Sequence, residues 1–244
     1  SSRRTSHYRG NEETMKLIMP MAGLGSRFKE QVKPLIDVNG VPMFVHSERC
    51  IGIDFEERIF ITRIEHNLKQ VIHSYYPDAH VIEIDYTTEG TACTLLLAKE
   101  HWKDGSSIFV SNCDQHVDWN YNIDWQAFTG AIAVFDCPDR NPKWSYAQTD
   151  EYNHVTRVAE KDPISDLATV GWYYWRDGRN LEASIHNMIL VNDRVNNEFY
   201  TCPTYNHLLA HEDDATVVVF HVDKMQGIGT PEDLLQYTEH TNDR

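Results

Sequence analysis

A chain of 244 residues, 41% apolar and 11% aromatic, can bury one large core or a core with a small appendage, the scale of a globular enzyme domain. Its formal charge of −15 opposes broad binding to nucleic acid or to an anionic membrane, since both need an excess of Lys and Arg; any polyanionic ligand must therefore meet local positive charge. The five cysteines (Cys50, Cys93, Cys113, Cys137, Cys202) are odd in number and widely spaced, with no C-x-x-C pair. That usage predicts reduced thiols in a cytosolic protein, without disulfide or zinc site.

The first 14 residues, SSRRTSHYRGNEET, lack the apolar core of a signal peptide and read as a tag, a linker or the tail of a preceding domain, with the folded domain over 15–244. No apolar run approaches the length of a membrane span. Short runs rich in Ile, Val and Phe predict strands over 15–20, 58–62, 80–85, 107–111 and 130–135. Helical patterns separate them over 42–50, 65–75 and 91–101, the second placing Leu68, Val71, Ile72 and Tyr75 on one face. This alternation predicts an α/β fold with a Rossmann-like, mostly parallel sheet flanked by helices. A hairpin over 145–150 and 154–161, turning at Tyr152 and Asn153, interrupts the pattern as an inserted lid or wall. A strand over 168–175, helices over 181–191 and 203–211, a strand over 216–222 and a helix opened by GTPEDL follow. In that last segment Thr230 suits the cap and Pro231 the first turn. No feature sets an oligomeric state, and the leading tail fits fusion to an upstream domain.

The chemistry concentrates after the first strand, in MAGLGSRF at 21–28. A glycine-rich turn at the carboxyl edge of an α/β sheet lets backbone N–H groups approach a phosphate. The spacing has neither the third glycine of a dinucleotide fingerprint nor the ending of a P-loop, so the cations must be side chains: Arg27 in the loop and Lys33 before Pro34. The alternative is a tight turn with a solvated arginine. Asp114, at the end of an apolar strand, suits Mg²⁺ or else a helix cap. His116 and Asp118 flank it loosely. The thirteen histidines otherwise read mostly as surface or core residues. In GWYYW at 171–175, alternation predicts one face in the core and the other near a pocket.

Five segments in order, MAGLGSRFKEQVKPLIDVNGVPM, TEGTACTLLLAKE, SNCDQ, VAEKDPISDLATVGWYYW and GIGTPEDL, resemble the sugar-1-phosphate nucleotidyltransferases, or nucleotide-sugar pyrophosphorylases, over about residues 15–240. NPKWSY and NEFYTCPTYNHLL resemble a subgroup associated with capsule or surface-polysaccharide synthesis. The resemblance implies attack by a sugar 1-phosphate, or a related small phosphate, on the α-phosphorus of an NTP, with Mg²⁺ as cofactor and pyrophosphate as leaving group. It further implies a nucleotide site of Ala22, Gly23, Gly25, Ser26, Arg27, Glu89, Gly90 and Thr91, and catalytic roles for Arg27, Lys33 and Asp114, the last as metal ligand. Substrate contacts fall to Glu160, Lys161, Gly171, Glu198 and Asn206, with a structural role open for the last two. One departure stands out. A second metal-binding acid of many family members falls at Gly227, so either one carboxylate suffices, another acid such as Asp118 reaches in, or activity is weakened. Two other functions fit parts of the pattern: a glycosyltransferase reading DQH at 114–116 as its metal motif, and a non-catalytic nucleotide-binding subunit.

Overall fold

The computed structural model describes residues 14–25, 28–120 and 122–242. Ser26 and Arg27 lie outside the described residues, and so do both ends of the chain. The first half follows the expected alternation: β1 (Met15–Met21), a small hairpin of β2 (Asp37–Val38) and β3 (Val41–Pro42), α1 (Met43–Ile51), β4 (Glu57–Arg63), α2 (Lys69–Tyr75), β5 (His80–Ile84), α3 (Thr91–Leu95) and β6 (Ser107–Ser111). β7 (Gln115–Asp118), β8 (Gly130–Asp136), the hairpin β9 (Ser145–Thr149) and β10 (Val155–Glu160), and β11 (Leu167–Trp175) come next. The chain then forms α4 (Gly178–Leu190), α5 (Thr204–His211), β12 (Val217–His221), β13 (Lys224–Gly227) and α6 (Pro231–Asn242).

Among the described residues nine strands join one large, mostly parallel central sheet flanked by helices. β1 lies between β4 and β6, parallel to both, and β5 extends that half parallel to β4. Antiparallel pairing enters with β11, which runs against β6 and β8 and, at Ala168, meets the β9–β10 hairpin. The hairpin turn is closed by Asp150 Oδ1, which accepts N–H bonds from Tyr152 and His154, with Asn153 at a φ of 64°. Asn tolerates that left-handed conformation better than most side chains do. The insertion thus forms a wall continuous with the main sheet.

Strand alternation divides the core between the two sheet faces. Ile18, Ile108, Val110, Ile132 and Trp175 pack with Leu95, Trp102, Leu181, Ile185 and Tyr205 on one side. Leu17, Phe109, Ala131, Trp172 and Tyr174 pack with Ile51, Phe55 and Val117 on the other. Burying each Val, Leu, Ile or Phe side chain among them stabilises the fold by about 1.5–3 kcal/mol. Trp102 also satisfies its indole, donating from Nε1 to Glu182 Oε2 at 2.9 Å.

Some elements depart from expectation. The helix expected over 65–75 begins as a 3-10 turn at Ile64–His66 and restarts at Lys69, because Asn67 takes a φ of 52° and donates its N–H to the Ile64 carbonyl. The helix expected over 91–101 is α-helical for five residues and 3-10 from Leu96 to Trp102. β7 and β13, not expected as strands, pair antiparallel as a separate ribbon that carries Gly227 opposite Gln115.

Candidate active site

The carboxyl ends of the parallel strands converge, as open α/β sheets require of a ligand site. The turn after β1 supplies Ala22, Gly23 and Gly25, the segment after β4 His66, the segment after β5 Thr88, Gly90 and Thr91, and the segment after β6 Asn112 and Asp114; with Glu198 they line a cavity of about 270 Å³. A second cavity, of about 360 Å³, shares Gly25, Lys33, Asn112 and Asp114 and adds Lys143, Trp144, Lys161 and Asp233. A third, of about 320 Å³, again includes Asn112, Asp114, Lys143 and Lys161 and reaches Glu160, Gly171, Tyr173 and Tyr200. The three open on one another at the end of β6, where Asn112 and Asp114 line them all.

At that junction Lys33 Nζ lies 2.9 Å from Asp114 Oδ2. Lys33 opens a 3-10 turn whose first turn carries Pro34, and Val32 before it lies in the extended region at φ −78°, ψ 102°. Asp114 Oδ2 abuts Gly229: a Cβ there would collide with it. Thus Gly229 of the closing segment is small so that the carboxylate can occupy this position. At Gly227, where the resemblance implies an acid, a Cβ would lie 3.7 Å from Asp233 Oδ2. An acid reaches that location from α6 instead. Asp118 pairs with His116 Nε2 at 3.2 Å and is not among the residues lining the cleft.

Lys161 takes a φ of 55° and donates its N–H to the Trp144 carbonyl, an arrangement that puts residues 143, 144 and 161 on one rim. Its Nζ lies 3.7 Å from Glu160 Oε1 and 5.1 Å from the Tyr200 ring centre. Burial pushes the Glu160 carboxyl up to about 7, despite the opposing pull of Lys161. Lys33, Lys143 and Lys161 together supply the local positive charge that a polyanionic ligand needs on so acidic a chain.

Of the residues expected at the site, Ala22, Gly23, Gly25, Lys33, Gly90, Thr91, Asp114, Glu160, Lys161, Gly171 and Glu198 line this cleft. Gly90 has a packing reason for being glycine. Its φ is 132°, and a Cβ would run into the main chain of Phe199, whose carbonyl accepts the Ala92 N–H at 3.0 Å. Two residues belong elsewhere. Glu89 does not line the cleft: Arg194 Nη2 holds its carboxylate at 2.7 Å, with the guanidinium 4.0 Å over the Phe199 ring, so it anchors the 194–199 segment to the turn. Asn206 does not line it either. Its amide donates to the Val158 carbonyl at 2.7 Å and accepts the Val158 N–H at 2.9 Å, fastening α5 to β10.

Lys143, Asp233, Asn112 and His66 were not singled out as site residues from the sequence. Lys143 stands in NPKWSY just before β9, a cation beside an aromatic at a strand entrance, and that pairing was its only local signal. Asp233 reads locally as a first-turn acid of α6. His66 lines the first cavity, and its buried Nδ1 has no hydrogen-bond partner among the described residues. In GWYYW, Trp172, Tyr174 and Trp175 are fully buried while Tyr173 reaches the third cavity.

No family model matches the chain, and a search of curated proteins found no match. Solved structures do: the fold is the mixed, Rossmann-like α/β architecture of several structures described as nucleotide- or sugar-phosphate-transferring enzymes. The chain is similar to a nucleoside-diphosphate-sugar pyrophosphorylase from Vibrio cholerae RC9, at 23% identity over 91% of this chain and 99% of that one, with a TM-score of 0.81. It is also similar to the inositol-1-phosphate CTP transferase of T. maritima (14% identity, 96% of each chain, TM-score 0.70). A third is the CTP:phosphocholine cytidylyltransferase of Streptococcus pneumoniae (17%, 93% and 99%, TM-score 0.69). At these identities the likeness establishes the fold.

Proposed function

We propose that this chain is a nucleotidyltransferase that joins an NTP to a sugar 1-phosphate, or to a related small phosphate, releasing pyrophosphate and supplying an activated sugar for surface-polysaccharide synthesis. The observation that carries the reading is the Lys33–Asp114 pair at the meeting point of the three cavities. Two anions must be brought together there, so charge stabilisation and positioning dominate and no covalent protein intermediate is needed.

The nucleotide takes the first cavity, with its phosphates against the Gly23–Gly25 turn and its base toward Thr88, Gly90 and His66. Lys33 stabilises negative charge building at the α-phosphate. Lys143 and Lys161 hold the attacking phosphate. Glu160, partly protonated near neutral pH, both donates to and accepts from hydroxyl groups of the acceptor. The Asp114 carboxylate, seated against Gly229, and Asp233 beside Gly227 are hard oxygen donors that fit Mg²⁺ retaining water and phosphate ligands. When bound, that ion offsets phosphate charge. Arg27 is assigned to the leaving pyrophosphate by the family resemblance alone.

The test is a pyrophosphate-release screen of the four common NTPs against sugar 1-phosphates, inositol 1-phosphate and phosphocholine. Turnover with one pair is expected. Release of nucleoside diphosphate from a nucleotide sugar plus acceptor would instead indicate a glycosyltransferase, and NTP binding without turnover on any pair a non-catalytic subunit.

A further inference from the structure

Outside the cleft, α1 presents His46 and Cys50 four residues apart, on one helix face, toward His116 of β7. His46 Nε2 lies 3.0 Å from His116 Nδ1, Cys50 Sγ lies 3.7 Å from the same nitrogen, and the Tyr237 hydroxyl of α6 lies 3.3 Å from it. Asp118 Oδ1 is 3.2 Å from the other ring nitrogen, Nε2. With Nε2–H donating to that carboxylate, Nδ1 carries a single lone pair, on which three polar groups converge. One hydrogen bond uses that lone pair, although the Tyr237 oxygen also accepts from Asn39 Nδ2 at 3.2 Å and Cys50 is hydrogen-bonded to the Val117 backbone. A cation placed among the three polar groups would engage all of them.

We propose that His46 Nε2, His116 Nδ1 and Cys50 Sγ bind a divalent transition metal of the zinc class, with the fourth position beside the Tyr237 hydroxyl. The three ligand atoms all lie within 4.8 Å of one another. Around a tetrahedral zinc, with Zn–N of about 2.0–2.1 Å and Zn–S of about 2.3 Å, neighbouring nitrogens stand about 3.3 Å apart and nitrogen and sulfur about 3.6 Å. The observed 3.0 and 3.7 Å require adjustments of a few tenths of an ångström, and the His46 Nε2 to Cys50 Sγ separation, within 4.8 Å, must close toward about 3.6 Å on binding. Nitrogen and thiolate donors select zinc over Mg²⁺, and the Asp118 contact fixes the His116 tautomer as carboxylates do behind metal-bound histidines. On binding, the Cys50 thiol gives its proton to solvent and the sulfur–metal bond forms, without redox change. Bound metal would join α1 to β7, which begins one residue after Asp114, beside α6. The site stands whether or not the chain transfers nucleotides.

The test is titration of the reduced full chain with Co²⁺, then Zn²⁺, in excess Mg²⁺. One equivalent of Co²⁺ should give a thiolate-to-cobalt charge-transfer band that Zn²⁺ abolishes, and Zn²⁺ should raise the melting temperature. Cys50→Ser should lose the band, and Asp118→Asn should weaken binding by about 10–100-fold. Absence of the band in folded wild-type protein, or its persistence in Cys50→Ser, overturns the assignment.

Discussion

Replacing Lys33 with Ala removes the cation 2.9 Å from Asp114 Oδ2 and separates its two consequences. Both side chains are about a quarter exposed, at 25% and 28%, so water screens the pair and can rehydrate the remaining carboxylate. The stability cost is then at most about 1 kcal/mol, which for a chain of this size moves the melting temperature by about 2–4 °C. Loss of a charge placed where the transition state gathers charge costs about 10²–10³ in kcat, or about 3–4 kcal/mol of barrier. Because that contact strengthens only as charge builds, kcat and kcat/KM should fall by the same factor. Steady-state pyrophosphate release with a parallel thermal melt measures both, and Lys33→Met keeps the aliphatic stem as a control. A raised KM with unchanged kcat, or an activity loss matched by unfolding, would refute the reasoning.

Asp114→Ala should abolish turnover with the melt within about 4 °C of wild type, while Asp233→Asn should raise the Mg²⁺ concentration needed for half-maximal rate; an unchanged Mg²⁺ requirement would remove Asp233 from the metal site. Asn206→Ala, which strips both bonds from Val158, should lower stability by about 1–3 kcal/mol in denaturant melts and leave KM for the acceptor unchanged. Glu160 ionises near its ordinary 4.5 in the unfolded chain and near 7 in the folded one. Between those values the unfolded state releases a proton that the folded state keeps, so rising pH destabilises the protein across that window and not beyond it. Melts at pH 5, 6 and 7.5 should show this decline in wild type and its absence in Glu160→Gln. Gly90→Ala should cost at least about 2 kcal/mol, from a strained φ and collision with the Phe199 main chain, read as a lowered denaturant midpoint.

What the chain determines by itself is local: the periodicity of its apolar residues and the punctuation of its turns. Those set β1, β4, β5 and β6 as parallel strands, and hence placed Gly23, Gly25 and Asp114 at their carboxyl edge, because each depends on neighbours within a few residues. The hairpin over 145–161 was legible for the same reason, through the turn at Tyr152 and Asn153. Tertiary structure decided whatever depends on residues far apart in sequence. β7 and β13 have little pattern of their own, and each becomes a strand only because the other supplies its hydrogen-bond partners more than a hundred residues away. Glu89 and Asn206 carry polar groups equally suited to a ligand or to a distant backbone, and folding gave them Arg194 and Val158. Asp233 and the His46–Cys50–His116 cluster show the converse. A helix spacing of four looked empty while His116 stood seventy residues away, and it acquires chemistry only when β7 packs on α1 and brings a third donor within bonding range.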